Sequence, residues 1–506
     1  MHVGQMLRQG ALAFPERVAV VERIGGQRRE LSYAELDLGA CRVAAALRAQ
    51  GLADGDRVAL SAANNASFMA SWFGILYAGC AVVPVPVLSA APELAHRLTH
   101  AGCRCILVDE ARRGLADAAL SLCALQLPIL DCNALPLEGE ALDAPRDAAP
   151  ADTAMVLYTS GTTGTAKGAA IPHASLFAHT LVLSARGLGL TADDRVLGVL
   201  PMTHSYGCRM LMLATFHAGA RCVLMDRFGA GTSFEVMCEE GVTWVPAVPT
   251  MYAAWGNHVA GPPPPELRWC MCAGAPLPDE TARRAEARLG AEVRQGFGMT
   301  EATICTLNAP PDARVLGSVG KPVWGVEVRV VDDAGADCAP GADGQVVVRG
   351  HNMMSGYLDD PEATAEALRD GWMHTGDVGR FDAEGRLSIV DRLKDMIIRG
   401  GNNVYPSEVE AALCQHPAIA EAAVVGRPDD YYGEEIVAVL VLRDGETLDA
   451  AQVRAWTAEQ VGRTKLPREV AFVDRLPVGP SGKVLKRTLR DQLVAGTLST
   501  EKVEKG

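Results

Sequence analysis

Short apolar runs recur along the first three fifths of the chain, with helical patterns between them. They include Ala81–Val85, Val196–Leu200 and Val242–Val248. Strands that are buried on both faces of a parallel sheet have continuous apolar sequences of this kind, whereas half-exposed strands alternate apolar and polar residues. The chain therefore predicts an α/β fold in which parallel sheets are covered by helices on both faces.

The pattern changes after about residue 316. Val326–Val331 and Gln345–Val348 are typical of antiparallel strands and predict a small β unit. A charged stretch around Lys394 follows, and beyond it a compact succession of helix and strand patterns predicts a smaller α+β unit. Because linkers tend to be polar, we place the domain boundary there: an N-terminal domain over 1–391, a hinge over 392–396 and a C-terminal domain over 397–506.

Length and charge exclude several classes of protein. A chain of 506 residues is too long for one ordinary core, so two to four structural units are expected. It has 47 Lys and Arg against 61 Asp and Glu, a net charge of −14. This balance argues against nucleic acid or an anionic membrane as a partner. The fourteen cysteines include C-x-C pairs within apolar runs rather than C-x-x-C knuckles, which favours reduced thiols in a cytoplasmic protein over structural zinc.

The uncharged run Met69–Leu88 is long enough to cross a bilayer. Two glycines and two prolines interrupt it, however. We therefore predict a buried helix over Ala66–Ala78, a stop at Gly79 and a buried strand over Ala81–Val85, rather than a transmembrane segment.

A loop of small and hydroxyl residues, Thr159–Gly168, directly follows a predicted buried strand, Ala154–Leu157. Small residues let backbone N–H groups approach an anion, hydroxyls add donors, and Lys167 adds a positive charge. The spacing of the glycines and of Lys167 differs from that of a Walker loop. The loop therefore predicts a polyphosphate cradle of another type, and a flexible linker is the alternative.

Four further motifs follow in order. Gly296-Phe-Gly-Met-Thr-Glu301 has a ring that can stack on a base and a carboxylate that can hold Mg²⁺ on phosphates. His374-Thr-Gly-Asp377 predicts a carboxylate after a tight turn, suited to ribose hydroxyls. The segment 391–401 is basic and then glycine-rich, and Pro480-Ser-Gly-Lys483 presents a lysine from a turn.

In this order and at these separations, the five motifs resemble those of the acyl-adenylate-forming (AMP-binding) superfamily. It comprises acyl-CoA synthetases, carrier-protein adenylation domains and beetle luciferases. The resemblance extends from about residue 10 to residue 495. It implies a large N-terminal domain of sheets sandwiched by helices, with a small β subdomain, and a mobile C-terminal lid over 397–506.

The resemblance also implies roles for individual residues. Phe297 stands where the family usually has tyrosine, so a ring remains but the hydroxyl contact is lost. Glu301 corresponds to the magnesium ligand, Lys394 to the hinge, and Lys483 to the lysine between the substrate carboxylate and the α-phosphate. The implied ATP-binding residues are Thr159, Ser160, Gly161, Thr162, Thr163, Gly164, Lys167, Gly274, Ala275, Pro276, Gly296, Phe297, Gly298, Met299, Thr300, Asp377, Arg392 and Lys483.

The implied activity is that of a fatty-acid–CoA ligase-like enzyme, which uses ATP, Mg²⁺ and CoA to activate a small-molecule carboxylic acid. Arg399, Gly400 and Gly401 look like the CoA synthetase version of the lid loop. One alternative is an enzyme that loads a carrier protein, and another, of a different class, is a non-catalytic nucleotide-binding regulator. The expected state is a cytoplasmic monomer or homodimer.

The acyl pocket is the least determined part of the site. The resemblance implies His204, Ser205, Arg209, Val248, Gly298 and Thr303 as lining residues, with His204 at the pocket mouth and in the catalytic set together with Thr300, Glu301 and Lys483. Arg209 is unusual because it lies in an otherwise apolar helical pattern, Gly207–Ala214. A buried arginine needs an anion. Either a nearby Asp or Glu, or a second carboxylate or polar group of the substrate, could provide that partner.

Overall fold

The computed structural model describes residues 2–133, 141–142, 144–159, 166–258, 261–400, 402–429, 431–479 and 484–502, and only the backbone of Asn403. Strands and helices alternate over most of this range. The helices are α1 (Gln5–Ala13), α2 (Tyr33–Ala49), α3 (Ala66–Tyr77), α4 (Ala91–His100), α5 (Arg113–Cys123), α6 (His173–Val182), α7 (Ser205–Gly207), α8 (Thr215–His217), α9 (Ala230–Glu239), α10 (Pro249–Asn257), α11 (Asp279–Leu289), α12 (Pro361–Ala367), α13 (Pro406–Cys414), α14 (Ala450–Gln460) and α15 (Lys486–Val494).

The strands of the larger, N-terminal part extend to Arg392. They are β1 (Val18–Ile24), β2 (Gln27–Ser32), β3 (Arg57–Ser61), β4 (Ala81–Pro84), β5 (Cys103–Val108), β6 (Ile129–Asp131), β7 (Thr153–Thr159), β8 (Lys167–Pro172), β9 (Arg195–Gly198), β10 (Arg221–Met225), β11 (Trp244–Ala247), β12 (Trp269–Cys272), β13 (Glu292–Met299), β14 (Thr303–Leu307), β15 (Lys321–Pro322), β16 (Val326–Val331), β17 (Gly344–Gly350), β18 (Gly356–Tyr357), β19 (Leu368–Arg369), β20 (Trp372–Phe381) and β21 (Leu387–Arg392).

The remaining strands are β22 (Ile397–Arg399), β23 (Asn402–Val404), β24 (Ile419–Asp429), β25 (Gly433–Leu442), β26 (Glu469–Phe472) and β27 (Glu501–Lys502). Two segments have π-helical hydrogen bonding, Leu183–Leu188 and Cys208–Ala214. Two short 3₁₀ turns cover Glu110–Arg112 and Arg463–Lys465.

Four sheets organise the described residues. The order is β15-β14-β13-β12-β11-β9-β10-β1-β2 in the first and β18-β8-β7-β4-β3-β5-β6 in the second. Strands β9 to β13 pair in parallel with one another, as do β3 to β7. A five-stranded sheet contains β16, β17 and β19 to β21, and the fourth sheet is built from β22 to β27. The predicted α/β architecture is confirmed.

One apolar core joins the two large sheets. It contains Trp72 and Val82 from the seven-stranded side together with Trp244 and Met271 from the nine-stranded side, and all four side chains are fully buried. Residues after 397 form two core clusters of their own, on opposite faces of the fourth sheet. The N-terminal core therefore fixes how the two large sheets face each other.

The uncharged run Met69–Leu88 folds as the sequence predicts. Helix α3 ends at Tyr77, Gly79 has a φ of +79°, and β4 begins at Ala81. The helix is too short to span a bilayer, and no helix in the described ranges is long and apolar enough to do so. All fourteen cysteines are free thiols.

Candidate active site

A cavity lies where the carboxyl ends of strands from both large sheets meet. Its lining comes from the ends of β4 and β7, from helix α4 and from the segments that follow β9 and β13: Pro84, Pro86, Arg97, Leu157, Tyr158, Pro201, Thr203, His204, Ser205 and Thr300. Open α/β sheets bind ligands in the crevice beyond the carboxyl ends of their strands. Three of the predicted site residues, His204, Ser205 and Thr300, are thus brought to one place from separate parts of the chain.

The predicted phosphate loop connects two antiparallel strands. Thr159 and Lys167 face each other at the ends of β7 and β8. Ser160, Gly161, Thr162, Thr163 and Gly164 lie outside the described residues. The ammonium group of Lys167 stands 5.3 Å from the ring centre of Tyr357, a cation–π arrangement that keeps this charge beside the loop.

Glu301 is a buried carboxylate held by a residue that the sequence analysis missed. The side chain is only 7% exposed, and the Tyr357 hydroxyl donates a hydrogen bond of 2.9 Å to its Oε1. Tyr357 is placed by the pairing of β18 with β8, which sets it opposite Ala169. No sequence signal links the two residues, because 56 positions separate them and only the sheet brings them together.

The donor set around Glu301 suits one kind of metal. Among the described residues there is no group of three or more His, Cys, Asp or Glu side chains that could hold an ion. Mg²⁺ on a polyphosphate needs only one or two protein carboxylates, because phosphate oxygens and water complete its shell. A single buried carboxylate next to a phosphate loop therefore fits Mg²⁺ better than a metal that needs several protein ligands.

The backbone around Glu301 is tightly packed and strained. A Cβ on Gly298 would lie 1.9 Å from the carbonyl oxygen of Thr303, so only glycine fits. Thr303 has a φ of +54°, in the left-handed region that β-branched residues rarely adopt. Such strain persists where the surrounding structure imposes it, and it is concentrated at functional sites.

The two segments predicted to flank adenine emerge side by side. Strands β12 and β13 are parallel, with Cys272 opposite Gln295, so Gly274 follows its strand end next to Phe297. Gly274 has a φ of +95° and Phe297 is half-buried against the main core. Ala275 is half-buried and Pro276 exposed in the same loop. A ring and a glycine-containing turn are therefore adjacent, as stacking on a base requires.

Asp377 and Arg392 form an ion pair. They are opposite residues of β20 and β21, and Arg392 Nε donates to Asp377 Oδ1 at 3.1 Å. The predicted tight turn before Asp377 was wrong, because residues 374–377 belong to β20. Gly376, with a φ of +73°, and an irregular register against β17 distort the strand there instead.

His204 caps the N-terminus of the helical segment that contains Arg209. His204 Nδ1 accepts a bond of 3.2 Å from the Tyr206 N–H, and the ring lines the cavity. Arg209 is 3% exposed, and its Nε donates to the Ser205 hydroxyl at 3.0 Å. Neither of its terminal nitrogens has a hydrogen-bond partner in the part of the chain that the structure describes. The expectation of a structural ion pair with Asp or Glu is therefore contradicted within that part. Val248, also predicted for the pocket, is buried at the start of α10.

In the predicted lid loop, Arg399 has an acidic partner of its own. Arg399 pairs with the buried carboxylate of Glu435 through Nε and Nη2, and its guanidinium stacks 4.4 Å from the centre of the Tyr432 ring. The positive charge of Arg399 is thus already paired with a carboxylate of the same domain. Gly400 is exposed, with a φ of +55°, and Lys394 is exposed in the turn between β21 and β22. Gly401 and Lys483 lie outside the described residues.

Comparison with known proteins identifies the family. The AMP-binding enzyme family matches residues 7–358, and the AMP-binding enzyme C-terminal domain matches residues 408–483. The chain belongs to the AMP-binding enzyme family. It is 37% identical over 496 residues to feruloyl-CoA synthase from an Amycolatopsis species, covering 96% of this chain and 99% of that one. It is 36% identical over 473 residues to sulfoacetate–CoA ligase from Cupriavidus necator, covering 91% and 92% of the two chains.

Solved structures of this family show the same fold. ATP-bound MatB from Rhodopseudomonas palustris superposes with a TM-score of 0.88 at 30% identity, covering 97% of this chain and 99% of that chain. Apo MatB covers 97% of this chain as well but gives a TM-score of 0.76. The arrangement described here is therefore closer to the ATP-bound form of that protein than to its apo form.

Tyr357→Phe tests whether the hydroxyl positions Glu301. The ring beneath Lys167 stays, and only the hydrogen bond to the carboxylate is lost. A bond to a charged group contributes about 1.5–3 kcal/mol, so we expect pyrophosphate release to slow roughly ten- to hundredfold and to require more Mg²⁺ for half its maximal rate. The measurement is the initial rate over a Mg²⁺ titration. Tyr252→Phe, which also removes a buried hydroxyl, is the control; an equal change in both variants would assign the effect to general loosening.

Proposed function

We propose that this protein is an ATP-dependent acid–CoA ligase in which the cavity at the strand ends is the active site. A carboxylate oxygen of the acid attacks the α-phosphorus of ATP, and pyrophosphate leaves. The CoA sulfur then attacks the acyl carbon of the acyl-adenylate, loses its proton, and AMP leaves. The observation that carries the proposal is the convergence of Thr300, His204 and Ser205 on one cavity, with Glu301 next to Thr300 in the chain.

The first half-reaction brings two anions together, so its barrier falls only where positive charge and oriented donors offset the developing charge. We assign Thr300 to the α-phosphate and Lys167 to the outer phosphates. Lys483 is assigned to the space between the two reacting groups. Bound Mg²⁺ would neutralise phosphate charge, and Glu301 would hold it.

The nucleoside is assigned to the segments beside the cavity. Phe297 would stack on adenine against the Gly274–Pro276 turn, and the buried Asp377 would accept hydrogen bonds from ribose hydroxyls while Arg392 fixes its orientation. CoA is assigned to Gly400 and Gly401. Arg399 would reach CoA only after releasing Glu435, so its assignment requires a rearrangement of the lid loop.

The second half-reaction is assigned to a movement of the C-terminal domain. We propose residues 1–391 as the adenylation domain, 397–506 as the lid and 392–396 as the hinge. The separate cores on either side of the hinge support this division. A cytoplasmic monomer or homodimer remains our proposal for the state of the protein.

A panel of carboxylic acids tests the function. Each acid is incubated with ATP and Mg²⁺, with and without CoA, while pyrophosphate release is followed and the thioester is identified by mass. Adenylation without CoA, followed by thioester with CoA, is the expected result. One relative is a fatty acid–[acyl-carrier-protein] ligase, 34% identical over 480 residues. A pantetheinylated carrier protein is therefore the competing acceptor, and acylation of the carrier but not of CoA would replace the ligase with a carrier-loading enzyme. If the protein binds ATP but releases no pyrophosphate in the presence of any acid, it would instead be a nucleotide-binding regulator.

Lys483→Ala should abolish adenylation and spare thiolation. Removing a positioned charge from the transition state lowers rates on the order of 100-fold or more. ATP binding and a supplied acyl-adenylate plus CoA should be affected much less, because the lysine acts only while the α-phosphate is attacked. Single-turnover assays of each half-reaction make the measurement. Adenylation at the wild-type rate would remove Lys483 from the site.

Lys394→Pro tests the hinge. Proline fixes φ and removes a backbone donor, so a segment that must change its dihedral angles would lose that freedom. We expect thiolation to fall much more than adenylation in the same two assays. Lys394→Ala is the control that removes the side chain and leaves the backbone free. Equal losses in both half-reactions of the proline variant would argue against a pivot at this position.

A further inference from the structure

Several buried polar atoms behind the cavity wall have no hydrogen-bond partner among the described residues. They are Nη1 and Nη2 of Arg209, Nε2 of His179, Oγ1 of Thr303 and Oδ1 of Asn352. More than nine tenths of buried polar groups in native proteins are hydrogen-bonded, so a set of unpaired ones needs an explanation.

Contacts with Cys305, or a position in the same strand, connect these residues. Arg209 is close enough to His179 and to Cys305 to influence the ionisation of both. Cys305 contacts the Asn352 amide at 3.7 Å, and it lies in β14, which begins at Thr303. We call this set, Arg209, His179, Thr303 and Asn352, the polar chamber.

The chamber adjoins the cavity directly. Ser205 lines the cavity, and its hydroxyl accepts the Nε–H of Arg209 at 3.0 Å. The Ser205 side chain therefore lies between the cavity and the guanidinium of Arg209. An acid whose reacting carboxylate lies near Thr300 would share the cavity with Ser205, behind which Arg209 lies.

The backbone of the chamber is irregular at three points. Arg209 lies in the π-helical segment Cys208–Ala214, and α6, which carries His179, continues into the second π-helical segment. Thr303 has a positive φ. π-Helical turns and strained dihedral angles cost stability and are found mostly at functional sites. The packing of the core alone does not account for such a set.

Within the described residues, the chamber holds a positive charge and no acidic side chain pairs with it. Burial lowers the pKa of Arg209 to about 10, which leaves the guanidinium protonated at neutral pH. Burial, followed by the Arg209 charge, lowers the pKa of His179 well below its usual range, so this ring is neutral. The acidic groups of the site, Glu301 and Asp377, bond to Tyr357 and Arg392 instead. A buried cation without a counter-ion is costly, and an anionic ligand removes that cost.

We propose that Arg209 binds a second anionic group on the substrate, so that the preferred acid carries a carboxylate or a sulfonate at the end remote from the reacting carboxylate. The two terminal nitrogens present paired donors to an oxyanion, which a lysine cannot do. His179, whose Nε2 has no partner among the described residues, would complete the binding of an outer oxygen. This inference rests on the proposed ligase function, because it names the substrate of the same site.

The test compares acids that differ only in the remote group. Succinate and glutarate are paired with butyrate and pentanoate, and sulfoacetate is paired with methylsulfonylacetate. For the wild-type protein we expect a higher kcat/KM for the anionic member of at least one pair. The pair that shows the preference identifies carboxylate or sulfonate as the remote group.

Arg209→Met removes the charge and keeps the apolar stem. We expect it to lower kcat/KM for the preferred dianion about 30-fold or more, the usual cost of removing one partner of a buried charge pair. The value of kcat/KM for the matched acid with an uncharged remote group should change by no more than a few-fold. Arg209→Lys should keep part of the preference, and it supplies the measurement if the methionine variant does not fold.

Arg314→Met is the matched control. Arg314 is also largely buried and has two guanidinium nitrogens without a hydrogen-bond partner in the described part, but it pairs with Glu286 at 3.0 Å. It should lower the melting temperature without changing the ranking of the acids. The proposal is overturned, while the ligase function stands, if Arg209→Met likewise lowers the melting temperature without changing the ranking of the acids. It is also overturned if the wild-type protein prefers the acids whose remote group is uncharged. Absence of pyrophosphate release with every acid would instead overturn the ligase function.

Discussion

Burial of apolar surface between the seven- and nine-stranded sheets is the interaction on which the rest of the molecule depends. Side chains such as Trp72, Trp244 and Met271 belong to one cluster, so the two sheets cannot shift relative to each other without opening it. This core holds the ends of β4 and β7 against those of β9 and β13. The cavity, and every group around it, is a consequence of that alignment.

Around the cavity, several charged side chains are held by a neighbouring side chain. Tyr357 contacts both Glu301, the proposed metal ligand, and Lys167, the proposed phosphate-loop cation. Asp377 is oriented by Arg392 in the same way. Arg209 has no such partner among the described residues, although it is the most deeply buried of these cations. The contrast indicates that the missing partner comes with the substrate.

The C-terminal domain is joined to this frame by polar contacts. Asp391 accepts the Ser407 N–H at 2.8 Å, and Arg443 donates to Asn257 at 3.2 Å across the two domains. Polar contacts of this kind exchange readily with water, whereas each domain has an apolar core of its own. This combination of internal rigidity and a weak attachment supports the proposed movement of the domain between two half-reactions.

The sequence by itself determined the fold class, most element positions and the family. Continuous apolar runs must be buried, and their length and their glycine or proline breaks distinguish helices from strands, which is why α3, β4, β9 and β11 were predictable, and the motifs carry their chemistry in consecutive residues. Tertiary structure alone decided what lies next to what. Tyr357 reaches Glu301, Arg399 pairs with Glu435, and Arg209 has no acidic neighbour in the described part, because sheet pairing and helix packing join distant segments. The turn before Asp377 was mispredicted because a glycine with positive φ also fits a distorted strand. Local patterns fix local conformation, whereas partners across the chain depend on packing that no local pattern contains.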